Sequence, residues 1–562
     1  MNGLDLASCA RAAGVLFLSF NIARMIAPLA VAQDINLTDV TGTTGISFVH
    51  SDGSYGQRFL IEVMSGGLAL LDYDQDGDLD VYFLNGAAIN KPLPDSPPRD
   101  ALYRNDGEFH FTDVTMASGL GDTGMGLGVA SADYDNDGFP DLYINNYGPN
   151  VLYHNSGNGT FEIVTNIAAV ANGSLVGGGV AFFDKDNDGD LDLYVANYIK
   201  FDPTKHRIHI HKGLPAHPSP LSFEPDKDTL FENHGDGTFQ DVSEASGIHS
   251  VAGRGMGVVA FDYDADGDVD VFVANDTQEN FLFQNDGKGK FEDVGLLAGV
   301  AYDARGRPQA SMGVDLVDAD HDGLMDLFVT AFSEEFAPLY RNVGHGLFED
   351  ISLRTTAAAS TFPHVTWGII AEDFDNDGFD DLLIGCGDLD DNRTQRGGTN
   401  TATAFKVENV LLRGTGKGKL SDLKKSWGSA AFVAESTRGI VAADLNADGL
   451  VDVVTQNIRS RPTVLRNETK TNCGYLECRL IGKESNRDAV GARVTVRQGS
   501  FKSVLHVVCG HSYQSDSSRV LHFGLPSQVD NANIEVTWPN GTISKAFEVT
   551  PLQKILLMEG SH

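Results

Sequence analysis

Cysteine is scarce in this chain of 562 residues: there are five, and no two stand as Cys-x-x-Cys. That removes the usual spacing of a thiolate zinc site or a dithiol redox pair. Long apolar runs are scarce too. One stretch, Ala12 to Phe20, follows Arg11 near the N-terminus, and no other segment is long and apolar enough to span a bilayer. Positive charge is outnumbered, 41 Lys and Arg against 78 Asp and Glu, for a net charge of −37. Such a balance argues against a nucleic-acid partner or an anionic membrane. The chain also lacks a Gly-x-Ser-x-Gly elbow, a His-Glu-x-x-His helix and a Gly-x-x-x-x-Gly-Lys-Ser/Thr loop, and Gly414 to Lys419 reads as a hairpin turn. An active site assembled from scattered loops leaves no such motif. Enzymatic activity therefore stays open, with a non-catalytic protein as the expectation.

The N-terminal run has the form of a secretory signal. Ala30-Val31-Ala32 fits a cleavage site before Gln33, and Asn21 and Arg24 interrupt the run before it reaches spanning length. Residues 1–32 are thus expected to be a signal peptide, with an uncleaved anchor as the alternative, and the protein secreted or extracellular (periplasmic or cell-surface in a bacterium), with no membrane span after cleavage. Leu6-Ala7-Ser8-Cys9 resembles a lipoprotein box but precedes the apolar run and is discounted. Export permits disulfides among Cys386, Cys473, Cys478 and Cys509. Cys478 with Cys509, or Cys473 with Cys478, are the candidate pairs.

What the chain has in quantity is one acidic loop, written seven times. The copies are Asp72, Asp74, Asp76, Asp80; Asp133, Asp135, Asp137, Asp141; Asp184, Asp186, Asp188, Asp192; and Asp262, Asp264, Asp266, Asp270. The last three are Asp318, Asp320, Asp322, Asp326; Asp373, Asp375, Asp377, Asp381; and Asp444, Asn446, Asp448, Asp452. Positions 1, 3, 5 and 9 converge only if the backbone turns at position 6, and glycine stands there each time. So many carboxylates at close range repel one another unless a cation joins them. Calcium, a hard ion tolerant of irregular oxygen cages, suits them, up to seven ions in all. Thirty-one aspartates lie within these windows, and seven dications would reduce the net charge from −37 to −23. An EF-hand is excluded. Its position 12 needs a bidentate Glu, and here that position is Phe83, Ile144, Val195, Val273, Val329, Ile384 or Thr455.

Each loop sits inside a longer repeat. A small-residue strand precedes it, as in Gly66-Gly67-Leu68-Ala69, and a β-branched or aromatic strand follows, as in Val81-Tyr82-Phe83. A hairpin comes next: Leu102-Tyr103-Arg104-Asn105-Asp106-Gly107 leads to Phe111-Thr112-Asp113-Val114. Loop starts are 51 to 78 residues apart, the size of a four-stranded propeller blade. The expected fold class is all-β: a seven-bladed β-propeller over 33–469, followed by a small β-sandwich-like domain over 470–562. An open calcium-dependent solenoid is the alternative, but its repeats are much shorter. The wide gaps locate two insertions, 200–229 and 387–409. The first carries His206, His209, His211 and His217, of which His209 and His211 would share a strand face and could bridge a transition metal. Arg254, Arg305 and Arg307 read as surface charge. In the last segment Tyr475–Leu480, Ala492–Arg497, Ser503–Val508 and Asn533–Thr537 read as strands, and Arg487, Asp488 and Arg493 as loop and edge charges.

The repeats resemble FG-GAP/VCBS repeats, the blades of integrin-α-type β-propellers. That resemblance implies calcium held by side chains at positions 1, 3, 5 and 9 and by the carbonyl at position 7. Here those carbonyls belong to Asp78, Phe139, Asp190, Asp268, Leu324, Phe379 and Leu450. The seventh loop, with Asn446 at position 3, should bind more weakly. Ser485-Asn486-Arg487-Asp488, Gly491-Ala492-Arg493-Val494, Ser512-Tyr513, Leu521-His522-Phe523-Gly524-Leu525 and Val536-Thr537-Trp538-Pro539-Asn540-Gly541 resemble the ASPIC/UnbV domain. That order of modules is similar to the cartilage acidic protein family. It implies a secreted calcium-binding scaffold for adhesion or interaction, with an extracellular protein or glycan ligand. A carbohydrate-binding protein or a polysaccharide-active enzyme is the alternative. The family's central insertion often carries cysteine, whereas this one carries histidine.

Overall fold

The computed structural model describes residues 34–560 except 93, 393–394, 396–403 and 424–426. The expected signal peptide lies outside the described residues, as does part of the second insertion. Among the described residues no helix is long and apolar enough to cross a membrane.

The chain is all-β. Seven antiparallel sheets each carry one acidic loop between their first and second strands. In the first sheet Leu68–Leu71, Asp80–Phe83, Ala101–Asn105 and Phe111–Asp113 pair in chain order. The first strands of successive sheets pack side by side around an axis, and that of the seventh, Thr437–Ala443, returns to Leu68–Leu71. Glycines permit the approach: a Cβ on Gly128 would lie 2.1 Å from the Gly178 carbonyl oxygen of the next sheet. The seventh sheet is completed from the other end of the chain, Leu37–Asp39 pairing with Thr463–Asn467. Nothing in the repeat pattern disclosed that closing strand, because it precedes the first loop. It ties both ends of the repeat region into one sheet and leaves no open edge at the seam.

Between sheets the contacts are apolar. Tyr82, Leu142, Ile144 and Phe161 belong to one such layer, and every equivalent interface repeats it. The second strands of the first three sheets read as near-continuous buried runs, covered on both faces.

The C-terminal segment forms two sheets, one of Gly474–Ile481, Leu521–Leu525 and Gln553–Met558, the other of Arg493–Gln498, Phe501–His506, Ala532–Thr537 and Phe547–Val549. The four strands read from the sequence are present, and three more accompany them. This segment packs on the face that carries the acidic loops. Arg487 N–H donates to Asn136 Oδ1 at 2.8 Å, and the Asp133 N–H donates to Asp488 Oδ2 at 2.9 Å. Arg487 and Asp488 are loop charges, as read, and their loop meets the second acidic loop.

From this domain residues 509–517 run into the axis of the ring. Ser512 and Val314 exchange backbone hydrogen bonds at 2.7 and 3.0 Å, and Asp516 does the same with Leu68 and Leu70 at 3.0 Å. Tyr513, fully buried, donates to the Met64 carbonyl at 3.1 Å and stands edge-on to Trp367. The inward-facing polar groups of the first strands are thereby satisfied by a segment far away in sequence. Cys386, Cys473, Cys478 and Cys509 are all buried, and no disulfide joins Cys478 to Cys509 or Cys473 to Cys478, so neither candidate pair forms. Cys509 instead lies with its sulfur 3.4 Å from the Ser131 carbonyl, at the start of the 509–517 segment that plugs the axis.

Candidate metal centres and the axial cavity

All seven loops share one geometry. The glycine at position 6 has φ between +82° and +100°, and position 4 is also left-handed, φ +58° to +65°. Position 4 is Asn in three loops, a residue that tolerates this conformation. In six loops the glycine N–H donates to the position-1 carboxylate at 2.6–3.1 Å. In all seven the N–H of position 7 donates to the position-5 carboxylate at 2.9–3.1 Å.

Position 9 is held most tightly. One oxygen accepts the N–H of position 2 at 2.9–3.3 Å. The other accepts the N–H that ends the third strand, at 2.7–2.9 Å. Asp80, Asp141, Asp192, Asp270, Asp326, Asp381 and Asp452 are all buried. Burial, only partly offset by these donors, pushes the Asp80 carboxyl up to about 8 and those of Asp270 and Asp326 up to about 9.

Six of the third strands end in Asn, and its side chain does what the hairpin reading missed. Asn105, Asn155, Asn233, Asn285, Asn342 and Asn467 each donate to the position-2 carbonyl of the preceding sheet's loop, at 2.7–3.0 Å. Neighbouring loops are thus hydrogen-bonded around the ring. The sixth sheet has Gly414 instead, and a Cβ there would lie 2.1 Å from the Asp380 carbonyl oxygen.

Positions 1 and 3 are different. Asp72 Oδ1, Asp74 Oδ1, Asp133 Oδ1, Asp186 Oδ1, Asp262 Oδ1 and Asp320 Oδ1 are buried without a hydrogen-bond partner. Clusters such as Asp72, Asp74, Asp80 and Asp262, Asp264, Asp270 bring one oxygen from each residue within 4.8 Å of the others. Carboxylate oxygens so grouped could hold a hard cation. The loops are not identical. His154 Nδ1 stands 3.3 Å from both Asp135 and Asp141. The buried Lys185 ammonium lies 2.7 Å from Asp186, and Arg413 reaches Asp377 at 2.8 Å and Asp375 more closely. In the seventh loop Asn446 Nδ2 donates to Asp448 at 2.9 Å, and its Oδ1 is unpartnered.

Antiparallel pairing puts both insertions on the face opposite the acidic loops. There the first insertion folds into a hairpin, His209–His211 with Leu214–Ala216, beside an axial cavity of about 750 Å³. Leu60, Met64, Met256, Met312 and Trp367 give it apolar walls, and Leu389 and Asp390 of the second insertion also line it. Tyr198 donates to Asp276 at 2.5 Å, and burial raises the Asp276 carboxyl to about 6. His209 and His211 are exposed on the hairpin, whereas His217 Nδ1 lies 2.8 Å from Asp390 Oδ1. Arg254 is buried, its guanidinium donating to the Phe223 carbonyl at 3.0 Å, and is not the surface charge expected.

Comparison with known proteins agrees with the repeat and the C-terminal module. FG-GAP-like repeats match at 72–144, 133–195, 221–273 and 262–329, and an ASPIC and UnbV domain at 482–562. Cartilage acidic protein 1 of Mus musculus is 25% identical over 517 residues, 87% of this chain and 73% of that protein. The Homo sapiens protein is 25% identical over 500 residues, 84% of this chain and 69% of its own length. Among solved structures, a lectin of Agrocybe aegerita that recognises non-reducing terminal N-acetylglucosamine has a TM-score of 0.38 at 16% identity, covering 66% of this chain and 84% of that one.

Proposed function

Because the chain carries FG-GAP-like repeats followed by an ASPIC and UnbV domain, we propose that it is a secreted scaffold whose propeller, 33–469, is held by calcium and capped by the 470–562 domain. Its binding face would be the one shaped by 200–229 and 387–409. The observation that carries the calcium reading is the set of buried, unpartnered oxygens at positions 1 and 3. In each loop the ligands would be the side chains at positions 1, 3 and 5 and the carbonyl at position 7. Position 9 would contribute lone pairs left over from its two backbone donors. A bound dication would neutralise carboxylates that otherwise repel, and so add its binding energy to folding.

Topology supports the binding role: one face is covered by the C-terminal domain, and the other opens into the axial cavity. Equilibrium dialysis of the mature protein, with melts in calcium and in chelator, tests the scaffold. Six or seven ions and a large loss of melting temperature on chelation are expected. One ion or none, with an unchanged melt, would overturn it. A polysaccharide-active enzyme is the second reading, favoured by the hydrogen-bonded Tyr198–Asp276 pair within the cavity. Turnover of a polysaccharide that Asp276→Asn abolishes would establish it.

A further inference from the structure

The axial cavity has an unequal lining. Its apolar part is continuous: Met64, Met256, Met312 and Trp367 are each no more than 3% exposed and pack with Tyr513 of the plug. Its polar part is dominated by carboxylates, Asp276, Glu334, Glu335, Asp388 and Asp390. Among the described residues that line it the opposing charges are few, and the buried guanidiniums of Arg438, against Trp367, and Arg254, which acts on Asp276, lie outside that lining. Lys212 sits at the exposed turn of the hairpin, free to swing into solvent, and the imidazole of His217 is engaged by Asp390. His209 and His211 are exposed on the same hairpin.

Two of the carboxylates are pinned rather than mobile. Asp276 accepts from the Tyr198 hydroxyl at 2.5 Å, and Glu335 Oε2 accepts the Ala310 N–H at 2.8 Å. Each retains further lone pairs, and a side chain already fixed loses little entropy when a ligand arrives. The chain itself offers a precedent for what these surfaces accept. The Arg438 guanidinium, fully buried, stacks 3.8 Å from the centre of the Trp367 ring. The buried Arg254 guanidinium, held by the Phe223 carbonyl, also acts electrostatically on Asp276.

We propose that this cavity binds an alkylammonium or guanidinium group carried on an apolar stem. The stem would lie against the methionines and Trp367, and the charge would face Asp276 and Glu335. This rests on the reading of the insertion-bearing face as the binding face, and names its ligand chemistry. An anion would meet the same carboxylates with repulsion. Among the described lining residues a neutral sugar would find three phenyl, phenol or indole rings, Tyr198, Phe332 and Trp367. The cationic group could belong to a free amine or to a lysine or arginine side chain of a partner, and the two sources differ in what flanks the group.

Calorimetric titration of the mature, calcium-loaded protein separates these cases. The probes are agmatine, an arginine-containing hexapeptide, hexanoate and N-acetylglucosamine. Agmatine or the peptide is expected to bind at least tenfold more tightly than hexanoate or the sugar, and more weakly as salt rises. Asp276→Asn with Glu335→Gln keeps both hydrogen-bond acceptors and should weaken binding tenfold or more with the melting temperature unchanged. Lys212→Glu, at an exposed turn, should tighten it several-fold. Tight agmatine binding would assign a free amine, and binding of the peptide alone a protein partner; both support the site. Equal binding of hexanoate or sugar, no binding of either cation, or no change in the variants would overturn it. Such a failure beside six or seven bound calcium ions would leave the scaffold standing, whereas loss of calcium binding would remove the scaffold and not bear on the cavity.

Discussion

Two aspartates of the first loop, Asp80 and Asp74, have different duties. Asp80 is fully buried and answers two backbone N–H groups, from Tyr73 at 3.1 Å and Asn105 at 2.8 Å. Asp74 leaves a buried oxygen with no partner. Leaving a buried donor unsatisfied costs about 1–3 kcal/mol, so Asp80→Ala should destabilise by roughly 2–5 kcal/mol in chelator, and by more in calcium, where a ligand oxygen is lost as well. Asp74→Asn should be within about 0.5 kcal/mol of wild type in chelator, as for a change away from structural contacts. In calcium it should melt lower. Paired melts of the two variants check this, and equal behaviour would mean that positions 3 and 9 do the same work. The carboxylate pattern was legible in the sequence; the division of labour was not, because backbone donors leave no trace in residue identity.

At the same scale, His50 is buried and neutral. The Arg459 N–H donates to its Nδ1 at 3.2 Å, and Nε2 lies 3.1 Å from Ser65 Oγ. Burial, with Arg438 and Arg459 opposing protonation and Asp52 favouring it, takes its pKa from 6.5 to about 4. The unfolded chain therefore takes up a proton first as pH falls. The contribution is present above pH 6.5 and is lost progressively down to about 4, in all about 3 kcal/mol at 1.36 kcal/mol per unit. Urea unfolding at saturating calcium should show a shallower acid loss over that window in His50→Gln than in wild type.

At the scale of the element, the asparagine that closes the third strand joins one loop to the next. Asn285 Nδ2 donates to the Lys185 carbonyl at 2.7 Å and the Val269 carbonyl at 3.1 Å. Asn285→Ala should cost about 2–4 kcal/mol, the sum of two buried acceptors left unmade. The sixth sheet makes the converse test. Gly414→Asn restores the residue of the other six, yet its Cβ would press on the Asp380 backbone. It should destabilise, measured by thermal melt, and a stabilised variant would show that the strand end can shift to form the missing link. The Asn-Asp-Gly run was legible as a hairpin because turn chemistry is local. Its second role depends on the neighbouring sheet, which no window of one repeat contains. The same holds for Leu37–Asp39, three residues whose strand character comes wholly from pairing with Thr463–Asn467.

For the whole molecule, the repeat count could be read from spacing, and the order of modules from the motifs that resemble FG-GAP repeats and the ASPIC/UnbV domain. The threading of residues 509–517 through the ring could not, because Ser512 and Tyr513 carry no periodic signal and their partners lie in Met64, Val314 and Trp367. That threading makes the two modules one cooperative body: the plug satisfies the inner strands, and the inner strands fix the plug. Gly510 is where the segment enters. Its φ is +85°, its N–H donates to Asp516 Oδ1 at 2.9 Å, and a Cβ there would lie 1.8 Å from the Val180 carbonyl oxygen. Neither the backbone conformation nor the space admits a side chain. Wild type should unfold in one calorimetric transition in calcium. Gly510→Ala, by forcing the plug off Val180, should split that transition in two, with the C-terminal module melting first and the calcium-held ring later. A single lowered transition would mean that the plug adjusts in place and the modules stay coupled. An unchanged one would mean that the axis is wider at Gly510 than the structure has it.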